Sequence, residues 1–279
     1  MNDADFVSTI ETVTHKNAMI FQLPYVPFPE NPPVNRMGDY ELLRGYLHSD
    51  NLRWSYGAMK GRYGDLWLRD LTNKPMEEMI KTLCLAGFSG VYIDRFGYED
   101  NGHLIEKELS SILNQRPLED KAKRLMFFDL TNFNKEIKAT CSHDEWVEQQ
   151  AKALYPVLFT WSEGFSVLEG TPEANWRWCS NSGQLRIINK SAREMQIKLQ
   201  MGFASGYTDP AKLTIKSDLF IEELTINNIE TEYIKELTVP PGNHVIEFRC
   251  DAKQIYAPGD PRYLVFRVNN FNIKPLEEE

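Results

Sequence analysis

The densest concentration of chemically capable side chains lies between Arg36 and Arg62, in the run RMGDYELLRGYLHSDNLRWSYGAMKGR. Asp39, Arg44, His48, Arg53, Lys60 and Arg62 alternate there with Tyr40, Tyr46, Trp54, Tyr56 and Met59. Rings supply contact area and fixed donors supply orientation, which is what a polar ligand or a partner surface requires. Arg53 and Arg62 would suit a phosphate, because a planar guanidinium grips two oxygens at once. The same composition also serves a structural end, since Arg and Tyr pin irregular segments onto their own domain by side-chain hydrogen bonds. Both readings stay open at this point.

Asp94 is the most informative single carboxylate. In GFSGVYIDRFGYED it closes a β-branched, aromatic run, with Arg95 beside it and Tyr98, Glu99 and Asp100 after it. The carboxyl end of such a strand is where α/β proteins place ligand and catalytic groups, and glycosidases use paired carboxylates there. The alternative is an Asp–Arg ion pair tying the strand to the 36–62 segment. Only about three strands are visible in this half, whereas a (β/α) barrel needs eight. In the second half, Trp161, Phe165, Trp176, Trp178 and Tyr207 could offer flat faces to a sugar ring. Alternatively, WRW (176–178) places one ring in a core and the other at its edge.

Several chemistries lack their residues. The five histidines, at 15, 48, 103, 143 and 244, show no HxH, HxxxH or HExxH spacing, so no metal site is expected. GxSxG, GxGxxG and GxxxxGK[ST] do not occur, and no catalytic residue or cofactor is assigned. A net charge of −9 argues against nucleic acid as a partner. The four cysteines, Cys84, Cys141, Cys179 and Cys250, are too scattered for a disulfide framework, leaving a single Cys179–Cys250 bridge as an option. No run approaches the ~20 apolar residues that span a bilayer. Met1 leads directly into a helix-like stretch, so the chain is expected to be cytoplasmic or a soluble piece of something larger.

The elements that must position these groups follow from periodicity. Apolar residues at helical spacing predict helices over 3–16, 65–71, 75–88, 103–115 and 143–154. Buried strands are expected over 18–24, 90–96 and 124–130. Asp39 is expected to cap a short helix through Leu42, Leu43 and Tyr46. The prolines at 27, 29, 32 and 33 predict an extended, exposed, stiff loop. Alternation of strands and helices makes residues 1–154 a small α/β layer domain. From Tyr155 to Pro275 the period changes to two, with strands about ten residues apart separated by NSG, NKSAR, SGYTDP, PPGN and APGDP. That pattern predicts an antiparallel β-sandwich of jelly-roll type over 155–275, so the chain as a whole is α+β. The acidic end, 276–279, is expected to be disordered.

Three stretches carry a resemblance to a known family. The run FQLPYVPFPENPPVNRMGDYELLRGYLHSDNLRWSYGAMKGR, then LAGFSGVYIDRFGYED, then RLMFFDL resembles the C-terminal soluble region of large bacterial polytopic membrane proteins, GT-C type glycosyltransferases or putative sugar translocases. WRWCSNSGQLRIIN and HVIEFRCDA…APGDPRYLVFRVNNF are similar to the β-domain that ends those proteins. The resemblance implies an extracytoplasmic, periplasmic domain of an integral membrane protein. Its expected partners are an acceptor glycan or lipid-linked sugar and the membrane-embedded part of the same protein. It transfers no catalytic residue, since the catalytic acid of such enzymes sits in the membrane half. It marks Asp39, Tyr40, Arg44, His48, Arg53, Trp54, Tyr56, Lys60 and Arg62 as the ligand-site candidates.

Overall fold

Short apolar runs separated by amphipathic helices build the first half as a layered α/β unit. The computed structural model describes residues 3–276 and divides into two units, Met1–Leu154 and Tyr155–Glu279. In the first unit, in chain order, lie α1 (Asp3–Val13), β1 (Met19–Leu23), α2 (Leu43–Leu47), β2 (Arg53–Trp54), α3 (Tyr63–Thr72), α4 (Met76–Leu85), β3 (Phe88–Asp94), α5 (His103–Leu113), β4 (Leu118–Glu119), β5 (Leu125–Asp129), α6 (Thr131–Ala139) and α7 (His143–Leu154). The sheet runs β2-β1-β3-β5-β4, with β2, β1 and β3 parallel and β5 and β4 antiparallel. Apolar cores cover both of its faces. That explains why β1 and β3 read as nearly continuous apolar runs. Helix α4 illustrates the local logic. Glu77 and Glu78 favour its N-terminal dipole, while Met79, Ile80, Leu83 and Cys84 are buried at helical spacing.

Three local expectations need correction. Asp39 caps no helix: α2 has five residues, its N-cap is Leu42 without a side-chain bond, and the Asp39 carboxylate accepts from the Tyr40 amide at 2.9 Å. The proline loop is no exposed arm along its whole length. Val26 and Met37 are buried in the sheet's core, and Phe28 bridges to Met59, because the apolar residues between the prolines gain more by burial than by extension. Helix α6 lies where no element was expected; its face buries no residue fully, so it lacks the apolar stripe that reveals a helix in sequence.

The second unit consists of strands: β6 (Leu158–Trp161), β7 (Glu169–Gly170), β8 (Asn175–Cys179), β9 (Ser182–Asn189), β10 (Met195–Ser205), β11 (Ala211–Lys216), β12 (Ile221–Ile226), β13 (Thr231–Val239), β14 (Gly242–Cys250) and β15 (Phe266–Pro275). One sheet runs β13-β10-β15-β8-β7 and the other β12-β11-β14-β9-β6. Strands β8 to β15 thus wind as the jelly roll the spacing implied, with β6 and β7 added at the edges. Alternate residues of each strand, among them Leu185, Leu199, Phe203, Ile215, Phe248 and Phe266, fill one core between the sheets. Cys179 and Cys250 are free thiols within it. Residues 277–279, most of the stretch expected to be disordered, lie outside the described residues.

Candidate functional site

In the α/β unit most of the candidate side chains are engaged by the fold itself. Trp54 packs edge-on against Tyr92 at 5.3 Å and lies over Gly45, where a Cβ would come within 2.8 Å of the indole. Tyr56 meets Phe28 at 5.6 Å. Burial, with Asp39 and Tyr40 nearby, pushes its phenol up to about 12. The Trp54 Nε1 and the Tyr56 hydroxyl are buried without a hydrogen-bond partner. Tyr40 sits at φ 63° and its hydroxyl accepts from the Glu30 amide; Lys60 Nζ donates to the Glu30 carbonyl at 2.7 Å. Arg44 pairs with Asp3 at 3.0 Å and Glu41 at 3.5 Å. His48, Arg53 and Arg62 are exposed. Next to these groups sits a void of about 10 Å³, lined by Gln22, Tyr25, Ser55 and Tyr56 among others, with room for a single water.

Asp94 stands at the end of β3 as expected, but it is 2% exposed. Arg124 grips it through Nε at 3.0 Å and Nη2 at 2.5 Å, and the Phe96 amide donates to it at 3.0 Å. The same Arg124 reaches Glu41 in the 36–62 segment. The strand is therefore tied to that segment as the ion-pair alternative had it, but through Arg124, which lies outside the segment and reaches it at Glu41. Burial works against the Arg124 charge, yet the hydrogen bonds to Asp94 and Glu41 outweigh it and its pKa rises. Arg95 points to other acids, Glu106 at 2.8 Å and Glu119 at 2.5 Å.

The β-sandwich unit presents a different kind of surface, which depends on strand register. Five residues stand in one row across the sheet: Glu169 of β7 faces Trp176 of β8, Trp176 faces Asn269 of β15, Asn269 faces Gly202 of β10, and Gly202 faces Glu232 of β13. At ~4.8 Å per strand the row is about 19 Å long. The next row holds Trp178, Arg267 and Ala204. Their strand neighbours Cys179, Phe266, Val268 and Phe203 belong to the core, so both rows face outward. This corrects the expectation that WRW divides between core and edge: residues two apart on a strand share a face. Trp161 and Phe165 do pack against the core.

The geometry of that face is partly built. The Arg267 guanidinium lies 5.8 Å from the Trp176 ring and 5.6 Å from the Trp178 ring, which fixes both half-buried indoles. Asn270 and Phe271 together oppose Met201, a bulge in which Asn270 has φ 47° and accepts from the Asn175 amide at 3.0 Å. Gly202 leaves the space above it to Glu230, whose carboxylate would lie 2.3 Å from a Cβ there. Glu230 accepts from Asn269 Nδ2 at 2.6 Å, and Gln200 Nε2 donates to Glu232 at 3.4 Å. Asn269 is 5% exposed, and its Oδ1 is buried without a partner. A shallow depression of about 210 Å³ lies among Gln200, Gly202, Glu230, Glu232 and Asn270. At the opposite end of the row, Arg262 bonds Glu169 at 2.6 Å and Asp260 at 2.7 Å. Its hydrogen bonds hold Glu169 below its usual range and Asp260 at about 2.

Sequence reasoning singled out the two tryptophans of this face and missed Gly202, Glu230, Arg267 and Asn269. The Trp-x-Trp spacing was the available signal; the partners arrive from strands far away in sequence. Among the described residues no group of three or more His, Cys, Asp or Glu is placed to hold a metal. No helix there is long and apolar enough to cross a membrane.

No family model matches the chain, and no curated protein matches it. Among solved structures it is similar to a family 4 carbohydrate-binding module, at 11% identity and a TM-score of 0.28, over 45% of this chain and 91% of that one. It is also similar to the N-terminal cellulose-binding domain of Cellulomonas fimi β-1,4-glucanase C, at 7% identity and a TM-score of 0.28, over 43% and 90%. A third is a family two carbohydrate esterase from Clostridium thermocellum in complex with cellohexaose, at 10% identity and a TM-score of 0.26, over 43% of this chain and 33% of that one. Likenesses of this size carry no functional argument, which rests on the residues of the face itself.

Proposed function

We propose that the β-sandwich unit binds a glycan chain across the outer face of its β13-β10-β15-β8-β7 sheet. The carrying observation is the single row of Trp176, Asn269, Gly202 and Glu232, beside Trp178 and Arg267, with the Asn269 carbonyl left without a donor. Indoles offer an apolar face to the C–H side of a pyranose, and the amide and carboxylates address its hydroxyls. The row crosses about 19 Å of the sheet, a length that suits a chain more than a monosaccharide. The resemblance supports a wider reading, in which the chain is the extracytoplasmic part of a membrane glycosyltransferase or sugar translocase and holds its acceptor glycan. In that setting the exposed Arg53, His48 and Arg62 of the α/β unit would face a lipid-linked phosphosugar or the membrane portion.

Isothermal titration or affinity electrophoresis against a panel of polysaccharides tests the central reading. Trp176→Ala and Trp178→Ala should each weaken binding by roughly 1–3 kcal/mol, the range for losing a packed anchor, or about 5- to 150-fold. Failure of every glycan to bind, or binding unaffected by both substitutions, overturns it. For the wider reading, the coding sequence upstream of Met1 should contain several ~20-residue apolar segments.

A further inference from the structure

We infer that this groove selects glycans by charge: it takes sugars that present hydroxyl or ammonium donors and rejects uronates and sulfated sugars. The inference rests on the glycan reading above and adds the class of ligand. Its first support is the orientation of Asn269. A carboxylate only accepts hydrogen bonds, so the bond to Glu230 at 2.6 Å turns the Asn269 amino group toward Glu230 and the carbonyl away. What remains is an acceptor, 5% exposed as a residue and without a donor. A buried acceptor left in that state is costly to the protein, and a ligand donor relieves the cost.

The second support is the charge around the depression. Glu230 and Glu232 both border it, and each has an uncharged amide as its hydrogen-bond donor, Asn269 and Gln200. Arg267, on the same face, lies against the two indoles. Lys198 stands four residues along β10 from Gly202, opposite Lys274 and Glu236. That is about 13 Å between Cα atoms at the strand rise. A sugar carboxylate or sulfate seated here would meet two like charges, neither of which has an ion-pair partner among the described residues. Hydroxyls satisfy the same groups, and an ammonium satisfies them with opposite charge.

Affinity electrophoresis of the full chain with neutral polymers (β-glucan, mannan, galactan, xylan), chitosan, and acidic polymers (polygalacturonate, alginate, hyaluronate) tests the inference. Retardation by at least one neutral or aminated polymer, with the acidic set at least tenfold weaker, is the expected result. Acidic polymers bound as tightly as neutral ones overturn the charge selection while leaving the glycan reading intact. Retardation by none overturns the glycan reading and this inference with it. The variant Glu230→Gln/Glu232→Gln separates local from global repulsion, because only two of 40 acidic residues change. Its acidic-to-neutral affinity ratio should rise about tenfold, and an unchanged ratio refutes the role given to these carboxylates.

Discussion

Replacing Arg124 by Met should destabilise the α/β unit more than any other single change at its surface. The substitution keeps much of the volume but removes the only cation bonded to Asp94 among the described residues; the Asp94 side chain is 3% exposed against 18% for Arg124. Stranding one member of a buried pair costs about 3–5 kcal/mol. Loss of the contact between the guanidinium and the Phe96 ring at 4.4 Å adds about 0.5–2 kcal/mol. Two features moderate the sum. Asp94 keeps the Phe96 amide at 3.0 Å, and Glu41, 22% exposed, can turn to water. A net loss of about 3–5 kcal/mol remains, which for a unit of this size corresponds to roughly 6–20 °C in Tm. Calorimetry should show the first unit's transition falling while that of the sandwich stays in place. The double variant Arg124→Met/Asp94→Asn should regain at least about 1 kcal/mol, since the stranded charge is gone. A single variant melting within about 2 °C of the parent, or a double variant no better than the single, would refute the stranded-charge argument.

Four further outcomes follow from the same geometry. Gly45→Ala should destabilise the α/β unit by about 1–3 kcal/mol through overpacking, since its Cβ would stand 2.8 Å from the Trp54 ring; a Tm equal to the parent's would mean that the indole yields freely. Tyr25 and Tyr56 each titrate at about 12 in the folded unit, both chiefly through burial, against ~10 unfolded. The folded state therefore holds protons that the unfolded chain releases, and stability should fall as pH rises from 10 to 12; Tyr25→Phe/Tyr56→Phe should flatten that slope in a series of melting curves. Thiol alkylation of the native chain should reach Cys141 first, because Cys84, Cys179 and Cys250 are buried and burial raises all three thiols; rapid native labelling of Cys179 would contradict this. The purified chain should hydrolyse no aryl glycoside, because Asp94 is held by Arg124, and turnover abolished by Asp94→Asn would reverse that reading.

What the sequence disclosed depended on the range of the interactions. The sandwich was legible because alternation along each strand is local: AKLTIK shows its buried face without reference to any partner, and β11 has the matching burial pattern. The α/β unit was legible wherever an amphipathic stripe or a continuous apolar run existed. Helix α6, with no buried face, and the two-residue strands β2, β4 and β7 carried no such period. The partners of a charge were the least visible. Arg95, adjacent to Asp94 in sequence, points to Glu106 and Glu119, whereas Arg124, thirty residues away, binds Asp94. Arg95 already belongs to the 3-10 turn Arg95–Gly97 that follows β3, whereas Arg124 immediately precedes Leu125, the residue of β5 that stands opposite Asp94.

The same range argument separates the two surfaces as places for a ligand. In the α/β unit the crevice at the strand ends, where ligands settle in open sheets, is filled from within: Pro24 and Gly97 are in contact, and Arg36 and Arg124 both lie over Phe96, at 4.2 and 4.4 Å. Asp94 has its cation and Tyr25 its carboxylate, Asp65, so little binding energy is left there for a ligand to gain. On the sandwich face the row from Trp176 to Glu232 is assembled from four strands and has one donor missing, at Asn269 Oδ1. Bringing four strands into that register fixes two indoles and an amide before any ligand arrives, which lowers the ordering cost of binding. Asn269→Ala tests the point: it removes the unmet carbonyl and frees Glu230. If the face is built for a ligand, the variant should fold with a Tm at or slightly above the parent's while its glycan affinity falls about tenfold. A large loss of stability with affinity unchanged would make Asn269 a fold-holding residue and remove the chief support for the site.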